Sequence, residues 1–203
     1  MVAKKIVVVG DGGVGKTCLL MSFAKSGFPA HYIPTVFETH NKQIIIDNQP
    51  IDLELIDTAG QKELGELRPM AYPDSDIVLL CCSVDLPESL YNLQNIWFPE
   101  VLEHCGGGNA DTKVVMVVNK TDLRTNEAIL ENLAITDQTP LTTSQCQRVA
   151  EAIGASTIVE CSACRNTGIK SVFDTAVRIS LGKPINTAKS NSNSKRGGKC
   201  IIV

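Results

Sequence analysis

The feature that most constrains the fold is the glycine-rich octapeptide GDGGVGKT at residues 10–17. It follows an apolar, β-branched run at residues 4–9 and precedes a helix-forming stretch at about residues 16–25. The spacing G-x-x-x-x-G-K-[ST] between a strand and a helix is typical of a phosphate-binding loop, because its glycines let backbone N–H groups surround a phosphate. Lys16 is expected to reach the β- and γ-phosphates, and Thr17 to ligate Mg²⁺. The motif predicts nucleoside triphosphate binding and leaves the base open.

Short apolar runs alternate with helix-forming stretches, which predicts a three-layer α/β domain with a mostly parallel sheet and helices on both faces. The runs at residues 77–84 and 113–118 are continuous, as expected for strands buried on both sides. Residues 43–46 and 51–56 surround a turn-forming tetrapeptide at 47–50, so they predict a hairpin with one antiparallel strand. Helices are predicted at 87–105, 143–153 and 166–181, a last strand at 157–159, and loops at 28–39 and 57–73.

Charge is unevenly distributed along the chain. Residues 183–203 carry five basic side chains and no acidic one, whereas the whole chain has 19 basic and 22 acidic residues. The first 182 residues therefore hold 14 basic and 22 acidic side chains, a net charge of −8. An acidic body argues against a nucleic-acid partner. At 203 residues, we expect one domain over 1–182 and a flexible basic tail over 183–203.

Hydrophobicity and cysteine usage bear on the compartment. The longest uninterrupted apolar run, at residues 77–82, has six residues, so neither a transmembrane helix nor a signal peptide is expected. The eight cysteines are scattered without a C-x-x-C pair, which favours reduced thiols in the cytosol.

A second motif, DTAGQ at residues 57–61, follows the apolar strand at 53–56. At a strand end, Asp57 is suited to hold Mg²⁺ through a water molecule. Gly60 leaves a backbone N–H free to meet the γ-phosphate, and Gln61 can orient an attacking water. With a phosphate-binding loop upstream, this pattern predicts hydrolysis of the nucleotide.

Two further motifs favour guanine as the base. In the tetrapeptide NKTD at residues 119–122, the carboxylate of Asp122 can accept two hydrogen bonds from the guanine N1–H and exocyclic amine, which adenine cannot offer. Asn119 is expected to brace the surrounding loops, and the stem of Lys120 to cover the base. The N–H of Ala163, after the last strand, could donate to the guanine O6.

These four motifs, in this order and each at a strand end, resemble the small GTPases of the Ras superfamily and, within them, the Rho/Rac family. The resemblance covers about residues 3–181 and resumes at the last four residues. It is carried by TCLL at 17–20, YIPTVFE at 32–38, LRPMAYP at 67–73 and an insert at 124–140. The resemblance implies the P-loop GTPase fold and a switch that binds GDP and GTP and hydrolyses GTP slowly.

Several roles are implied by the resemblance alone. Thr35 would coordinate Mg²⁺ only in the GTP state, Tyr32 would cover the nucleotide, and Phe28 would pack against the base. Effectors would contact Val36, Phe37 and residues 64–72. The predicted nucleotide-binding residues are Gly12, Gly13, Val14, Gly15, Lys16, Thr17, Cys18, Phe28, Tyr32, Thr35, Asp57, Ala59, Gly60, Asn119, Lys120, Asp122, Ser162 and Ala163, with Lys16 and Gln61 as the catalytic pair.

The resemblance also implies partners. They are exchange factors, GTPase-activating proteins, dissociation inhibitors and effectors such as formins or kinases, in the regulation of the actin cytoskeleton. No arginine lies beside Thr35, where Pro34 precedes it, so hydrolysis is expected to be slow without an activating protein.

Cys18 is interpreted as a buried, inert thiol, with a redox-sensitive thiol as the alternative.

The last four residues, CIIV at 200–203, match the prenylation pattern C-a-a-X. Cys200 would carry the lipid, and the basic residues upstream would face an anionic membrane surface. Valine at the last position leaves farnesyl and geranylgeranyl both open. We therefore expect the protein at the cytoplasmic face of the cell membrane and in the cytosol.

Two other functions fit parts of the sequence. A scaffold held permanently in the GTP state would need no hydrolysis, and Gln61 and Gly12 argue against it. A metabolic P-loop kinase would use ATP, which the guanine-type motif at residues 119–122 disfavours.

Overall fold

A computed structural model describes residues 2–24, 37–61, 68–105 and 113–185. Six strands form one sheet in the order β2-β3-β1-β4-β5-β6. The strands are β1 Val2–Gly10, β2 Phe37–Ile46, β3 Gln49–Thr58, β4 Ile77–Ser83, β5 Val114–Asn119 and β6 Thr157–Glu160. The α-helices are α1 Lys16–Ala24, α2 Glu88–Asn92, α3 Phe98–Cys105, α4 Glu127–Ile135, α5 Thr143–Ala152 and α6 Ile169–Ser180. Single turns of 3₁₀-helix span Arg68–Ala71 and Thr121–Leu123.

Each central strand buries both of its faces. In β1, Ile6 and Val8 pack into the core beneath α1 and α6, whereas Val7 and Val9 pack into the core beneath α2, α3 and α5. Successive side chains of a strand point to opposite faces, so a strand between two helical layers has to be apolar throughout. The three-layer α/β architecture predicted from these runs is confirmed.

The hairpin is the antiparallel part of the sheet, as predicted, but its strands are longer than predicted. β2 begins at Phe37, within the predicted loop 28–39, and pairs with β3 from Phe37↔Thr58 to Ile46↔Gln49. The turn itself is only Asp47-Asn48, both with positive φ (49° and 63°), as a two-residue type I′ hairpin requires. The early part of β2 escaped prediction because an edge strand with one exposed face alternates polar side chains.

Two helices also depart from their predicted bounds. Helix α6 begins at Ile169 and not at residue 166, because Asn166 and Gly168 have φ of 54° and 73° and form a turn before it. The predicted helix at 87–105 is interrupted at its centre by a π-helical turn, Leu93–Trp97, between α2 and α3.

The predicted insert at residues 124–140 contains α4, which lies mostly outside the core. Asn126 caps this helix by accepting a hydrogen bond from the N–H of Ile129, and Leu133 is its single buried side chain. Ile135 is 82% exposed. After α6 the chain is described to residue 185, so most of the basic tail lies outside the described residues. Within the described ranges, no helix is long and apolar enough to cross a membrane.

Candidate functional site

The carboxyl ends of the parallel strands β1, β3, β5 and β6 meet at one edge of the sheet, where ligands of open α/β sheets bind. A cavity of about 490 Å³ opens at this edge. Three of the four predicted motifs contribute to its wall. The lining residues are Gly12, Gly13, Gly15, Lys16, Thr17, Cys18, Thr58, Ala59, Gly60, Gln61 and Lys120.

Lys16 lies at the bottom of the phosphate-binding loop and is only 6% exposed. Its Nζ donates hydrogen bonds to the carbonyls of Gly10 at 2.7 Å and Asp11 at 2.9 Å. Burial lowers the pKa of this ammonium, because the charged form is the one that desolvation disfavours. The loop therefore presents a desolvated positive charge to the cavity.

Glycines allow the loop and the DTAGQ segment to touch. The N–H of Gly12 donates to the carbonyl of Gly60 at 3.1 Å. A Cβ at Gly60 would lie 2.4 Å from the backbone nitrogen of Gly12 and 2.5 Å from Nζ of Lys16, and a Cβ at Gly15 would lie 2.6 Å from the amide nitrogen of Asn119. Neither position can hold a side chain without moving its neighbours, so both glycines are required by close approach.

Thr17 and Asp57 meet at the start of α1. The Thr17 hydroxyl donates to Oδ2 of Asp57 at 2.6 Å, and Asp57 is fully buried. A hydroxyl and a carboxylate both offer oxygen atoms, and oxygen ligands are those that Mg²⁺ prefers. Both residues fit a magnesium site, and Asp57 belongs to the end of β3 rather than to the loop after it.

A smaller cavity of about 180 Å³ adjoins the first, and the two share Gly15, Cys18 and Lys120. Asn119 stands between them. Its amide nitrogen donates to the carbonyl of Val14 at 3.0 Å, and its amide oxygen accepts from the N–H of Ala163 at 3.2 Å. The side chain therefore joins the phosphate-binding loop to the last strand, as its predicted bracing role requires.

Asp122 lines the smaller cavity, and its Oδ1 is buried without a hydrogen-bond partner among the described residues. Lys120 takes a left-handed conformation (φ 57°), and its Nζ is held 2.8 Å from Asp85. An orphaned carboxylate oxygen in a cavity is costly unless a ligand supplies a donor. Asp122 is therefore poised to bind a hydrogen-bond donor.

Some predicted contacts are arranged differently. The Ala163 N–H is already bonded to Asn119, so a base oxygen would have to share it. Val14 and Ser162 are buried beside the cavities without lining them, and the Ser162 hydroxyl accepts from the N–H of Arg165 at 3.0 Å. Cys18 is partly buried and lines both cavities, so the prediction of a buried thiol is wrong on that point. The partial burial still raises the pKa of its thiol, which favours an inert thiol over a redox-sensitive one.

The remaining predicted residues divide into two groups. Gln61 lines the larger cavity, and Phe37 is the first residue of β2 with 45% of its surface exposed. The others lie outside the described residues: Phe28, Tyr32, Thr35, Val36 and Cys200.

Sequence reasoning missed a cluster behind the loop. Oδ1 of Asp11 accepts from the indole N–H of Trp97 at 2.6 Å, and Oδ2 accepts from the amide of Asn92 at 2.8 Å. Arg68 packs over the Trp97 ring, with its guanidinium carbon 4.5 Å from the ring centroid. Trp97 is the single tryptophan of the chain, and this rarity is the one feature of the sequence that could have drawn attention to it.

The fold and the paired cavities define a P-loop nucleotide-binding protein. The Ras family model matches residues 5–181. The chain is 43% identical to "GTP-binding protein rho1" of Schizosaccharomyces pombe over 200 residues, 98% of this chain and 97% of that protein. It is 43% identical to "GTP-binding protein RHO1" of Saccharomyces cerevisiae over 205 residues, covering 100% and 96%. Human "Rho-related GTP-binding protein RhoB" is 44% identical over 182 residues, covering 90% and 91%. The chain belongs to the Ras family, as a Rho-like small GTPase.

Proposed function

We propose that this Rho-like GTPase selects guanine through Asp122 and hydrolyses GTP with Lys16 and Gln61. The single observation that carries the proposal is the buried Oδ1 of Asp122, which has no hydrogen-bond partner among the described residues and lies in a cavity that shares Gly15 with the cavity at the phosphate-binding loop. A nucleotide with its phosphates at Lys16 would bring its base to Asp122. Guanine offers two donors there, and adenine offers none at the matching positions.

The phosphates would be held by the loop backbone from Gly12 to Thr17 and by the Lys16 ammonium, which would exchange its carbonyl partners for phosphate oxygens. Thr17 and Asp57 would hold Mg²⁺, Asp57 through water, joined by Thr35 in the GTP state. When bound, Mg²⁺ would neutralise charge on the β- and γ-phosphates. Gly13, Cys18 and Ala59 would complete the wall around them.

Hydrolysis would depend on electrostatics and on the placement of one water. Gln61 borders the larger cavity, where its amide can orient a water toward the γ-phosphate. None of the described residues lining that cavity is an arginine, so a GTPase-activating protein would have to supply one for fast turnover. The permanently GTP-bound scaffold is not favoured, because Gln61 borders the larger cavity, where it could place a water.

Signalling would come from the two segments that touch the γ-phosphate. Thr35 would bind Mg²⁺ and Gly60 would bind the γ-phosphate only in the GTP state, with Tyr32 covering the nucleotide and Phe28 packing against the base. Effectors such as formins or kinases would then contact Val36, Phe37 and residues 64–72. Exchange factors, GTPase-activating proteins and dissociation inhibitors would set the cycle, and the output would be regulation of the actin cytoskeleton.

The tail would place the protein at the cytoplasmic face of the cell membrane, in exchange with the cytosol. A prenyl group on Cys200 gives only reversible binding, and each nearby cation adds about 1 kcal/mol at an anionic leaflet. The five basic residues after position 182 would supply that second contribution, since the rest of the chain is acidic.

Nucleotide competition tests the base assignment. The full chain, freed of nucleotide, is titrated with a fluorescent GDP analogue against GTP, ATP and XTP in Mg²⁺. We expect GTP to compete at least 100-fold better than ATP, since two charge-assisted hydrogen bonds separate the bases. Asp122→Asn should shift preference toward XTP, whose C2 oxygen needs a donor. The control is Asp137→Asn, at an exposed residue that also has positive φ (54°). Equal competition by ATP and GTP would refute the assignment.

A further inference from the structure

The carboxylate of Asp11, inside the phosphate-binding loop, is held from outside the nucleotide cavity. Both of its oxygens are occupied, by the indole N–H of Trp97 and the amide of Asn92. Trp97 is 2% exposed, so its bond to the carboxylate is shielded from water. A charge-assisted hydrogen bond of this kind is stronger than a neutral one, and it fixes the loop against the helix α2–α3.

The π-helical turn explains how two residues five positions apart reach one carboxylate. In a regular α-helix each residue turns by about 100°, so residues i and i+5 point about 140° apart. Between α2 and α3 the N–H of Phe98 instead bonds to the carbonyl of Leu93, five residues earlier. This widened turn brings Asn92 and Trp97 onto the same side of the helix, where both meet Asp11. Turns of this type occur frequently at functional sites.

The indole N–H that meets Asp11 is at the edge of the ring, and Arg68 lies over the ring itself. Its guanidinium packs over the ring, and its Nε and Nη2 bond to both carboxylate oxygens of Glu100, at 2.6 and 2.8 Å. Burial alone would raise the pKa of Glu100, but the hydrogen bonds from Arg68 and Tyr72 hold that pKa below its usual value. Arg68 is 6% exposed, and its guanidinium is held by the Trp97 ring and by the carboxylate of Glu100.

Arg68 in turn holds the segment that carries the hydrolytic glutamine. Its Nη1 donates to the carbonyl of Ala59 at 3.0 Å and lies 3.5 Å from the carbonyl of Gln61. The carbonyl between them, that of Gly60, accepts from the N–H of Gly12, the residue after Asp11. Residues 59–61 are therefore held by hydrogen bonds from Arg68 and from the phosphate-binding loop. Trp97 contacts both, because its ring packs against Arg68 and its N–H bonds to Asp11 of the loop.

We propose that Trp97 is a positioning residue for GTP hydrolysis. Its indole N–H holds the phosphate-binding loop through Asp11, and its ring holds the Gln61 segment through Arg68, so one side chain sets the spacing between the phosphate and the attacking water. The inference rests on the proposed role of Gln61. It assigns a catalytic consequence to a residue that lines neither cavity.

The test is single-turnover phosphate release from the full chain loaded with GTP in Mg²⁺. Trp97→Phe keeps a ring for Arg68 and removes the N–H to Asp11. We expect it to slow release about fivefold, the size expected for one lost charge-assisted hydrogen bond acting in the transition state. GDP dissociation should change by less than about twofold, since the cavity lining is intact. Tyr91→Phe is the matched control, because that ring lies on the same helix and is 66% exposed, and it should hydrolyse GTP like the wild type.

Asp11→Asn provides a second variant of the same shape. Its amide oxygen can accept only one of the two hydrogen bonds, without the charge, and its amide nitrogen cannot accept the other, so it should slow release in the same direction. In a Gln61→Leu background, Trp97→Phe should cause no further loss, because the residue that it positions is gone. A merely structural role would instead lower stability and nucleotide affinity in both backgrounds.

The outcomes separate the two proposals. Slow release by Gln61→Leu with normal release by both Trp97→Phe and Asp11→Asn would overturn this inference and leave the role of Gln61 intact. Wild-type release by Gln61→Leu would overturn the role of Gln61 and this inference with it. Slow release by Trp97→Phe that persists undiminished in the Gln61→Leu background would also overturn it, since the effect would not pass through Gln61.

Discussion

The hydroxyl of Thr17 donates a 2.6 Å hydrogen bond to Oδ2 of Asp57, although 40 residues separate them in the chain. Thr17 is the second residue of α1 and Asp57 lies one residue before the end of β3, so the parallel pairing of β1 with β3 brings them together. The two oxygens are thereby gathered at the phosphate-binding loop by the fold itself. This pair is the structural basis for the proposed magnesium site.

We therefore expect Thr17→Val to weaken the dependence of GTP binding on Mg²⁺. The substitution keeps the side-chain shape and removes one cation ligand, so GDP should dissociate faster in Mg²⁺ and chelation with EDTA should add little. The wild type should release GDP at least tenfold faster after chelation, since a lost cation contact at a phosphate exceeds about 1.4 kcal/mol. Thr175→Val, in α6 away from the site, is the control. An EDTA response of Thr17→Val equal to that of the wild type would contradict the magnesium site.

Gly60→Ala should separate nucleotide binding from hydrolysis. Its Cβ would meet the Gly12 nitrogen at 2.4 Å and Nζ of Lys16 at 2.5 Å, so the segment 59–61 has to move away from the loop. We expect GDP to bind within about threefold of the wild type while phosphate release falls at least tenfold, since the water-placing residue is displaced. Titration and single-turnover release measure the two effects, and unimpaired release would show that this approach is not needed for hydrolysis.

The ion pair between Glu160 and Arg124 should make stability depend on pH. Hydrogen bonds from Arg124, with a further one from Thr143, lower the pKa of Glu160 below its unfolded value. A lowered pKa in the folded state contributes stability above the unfolded pKa of about 4.3, and the contribution is lost as pH falls through the folded value. Glu160→Gln should therefore cost about 1 kcal/mol at pH 7 and progressively less below pH 4.

Urea unfolding of both proteins at pH 7 and pH 3.5 measures this difference. Glu151→Gln, on the exposed face of α5, is the control and should change little at either pH. A cost for Glu160→Gln that is the same at both pH values would mean that the charge of Glu160 does not contribute.

The tail should supply two separable contributions to membrane binding. Cys200→Ser removes the proposed lipid site and should make the protein fully soluble in cell fractions. Replacing Lys195, Arg196 and Lys199 by glutamine should leave the lipid in place and abolish the salt dependence of binding to anionic vesicles, because screening acts only on the charges. Cys105→Ser, within the body, is the control. Membrane fractionation of Cys200→Ser like that of the wild type would show that another feature anchors the protein.

The sequence predicted the parts of the site that are local in the chain. Motif spacing placed Asp57 and Asn119 at strand ends and Lys16 and Asp122 in the segments that follow strand ends, and the parallel sheet brings those ends together. It also predicted the buried strands, because a strand covered on both faces has to be apolar throughout.

What escaped prediction depends on contacts between distant residues. Trp97 and its partner Asp11 are 86 residues apart, and the π-helical turn that aligns Trp97 with Asn92 leaves no periodic pattern in the sequence. The start of β2 was not predicted because β2 is the edge strand of the sheet, so that part of it carries polar side chains and lacks the apolar run of a buried strand. The start of α6 was misplaced because Asn166, an acceptable helix residue, is held in a left-handed turn by the pairing of Ser162 with Thr167.

As a switch, the protein is expected to change at the two segments proposed to respond to the γ-phosphate. Hydrogen–deuterium exchange of the full chain, loaded with GDP or with a non-hydrolysable GTP analogue in Mg²⁺, tests this most directly. We predict stronger protection of residues 30–40 and 58–72 in the GTP-analogue form, because Thr35 gains a Mg²⁺ bond and Gly60 a γ-phosphate bond only there. The buried strand β5 should exchange equally in both forms. Identical protection of both segments in the two nucleotide states would contradict the account.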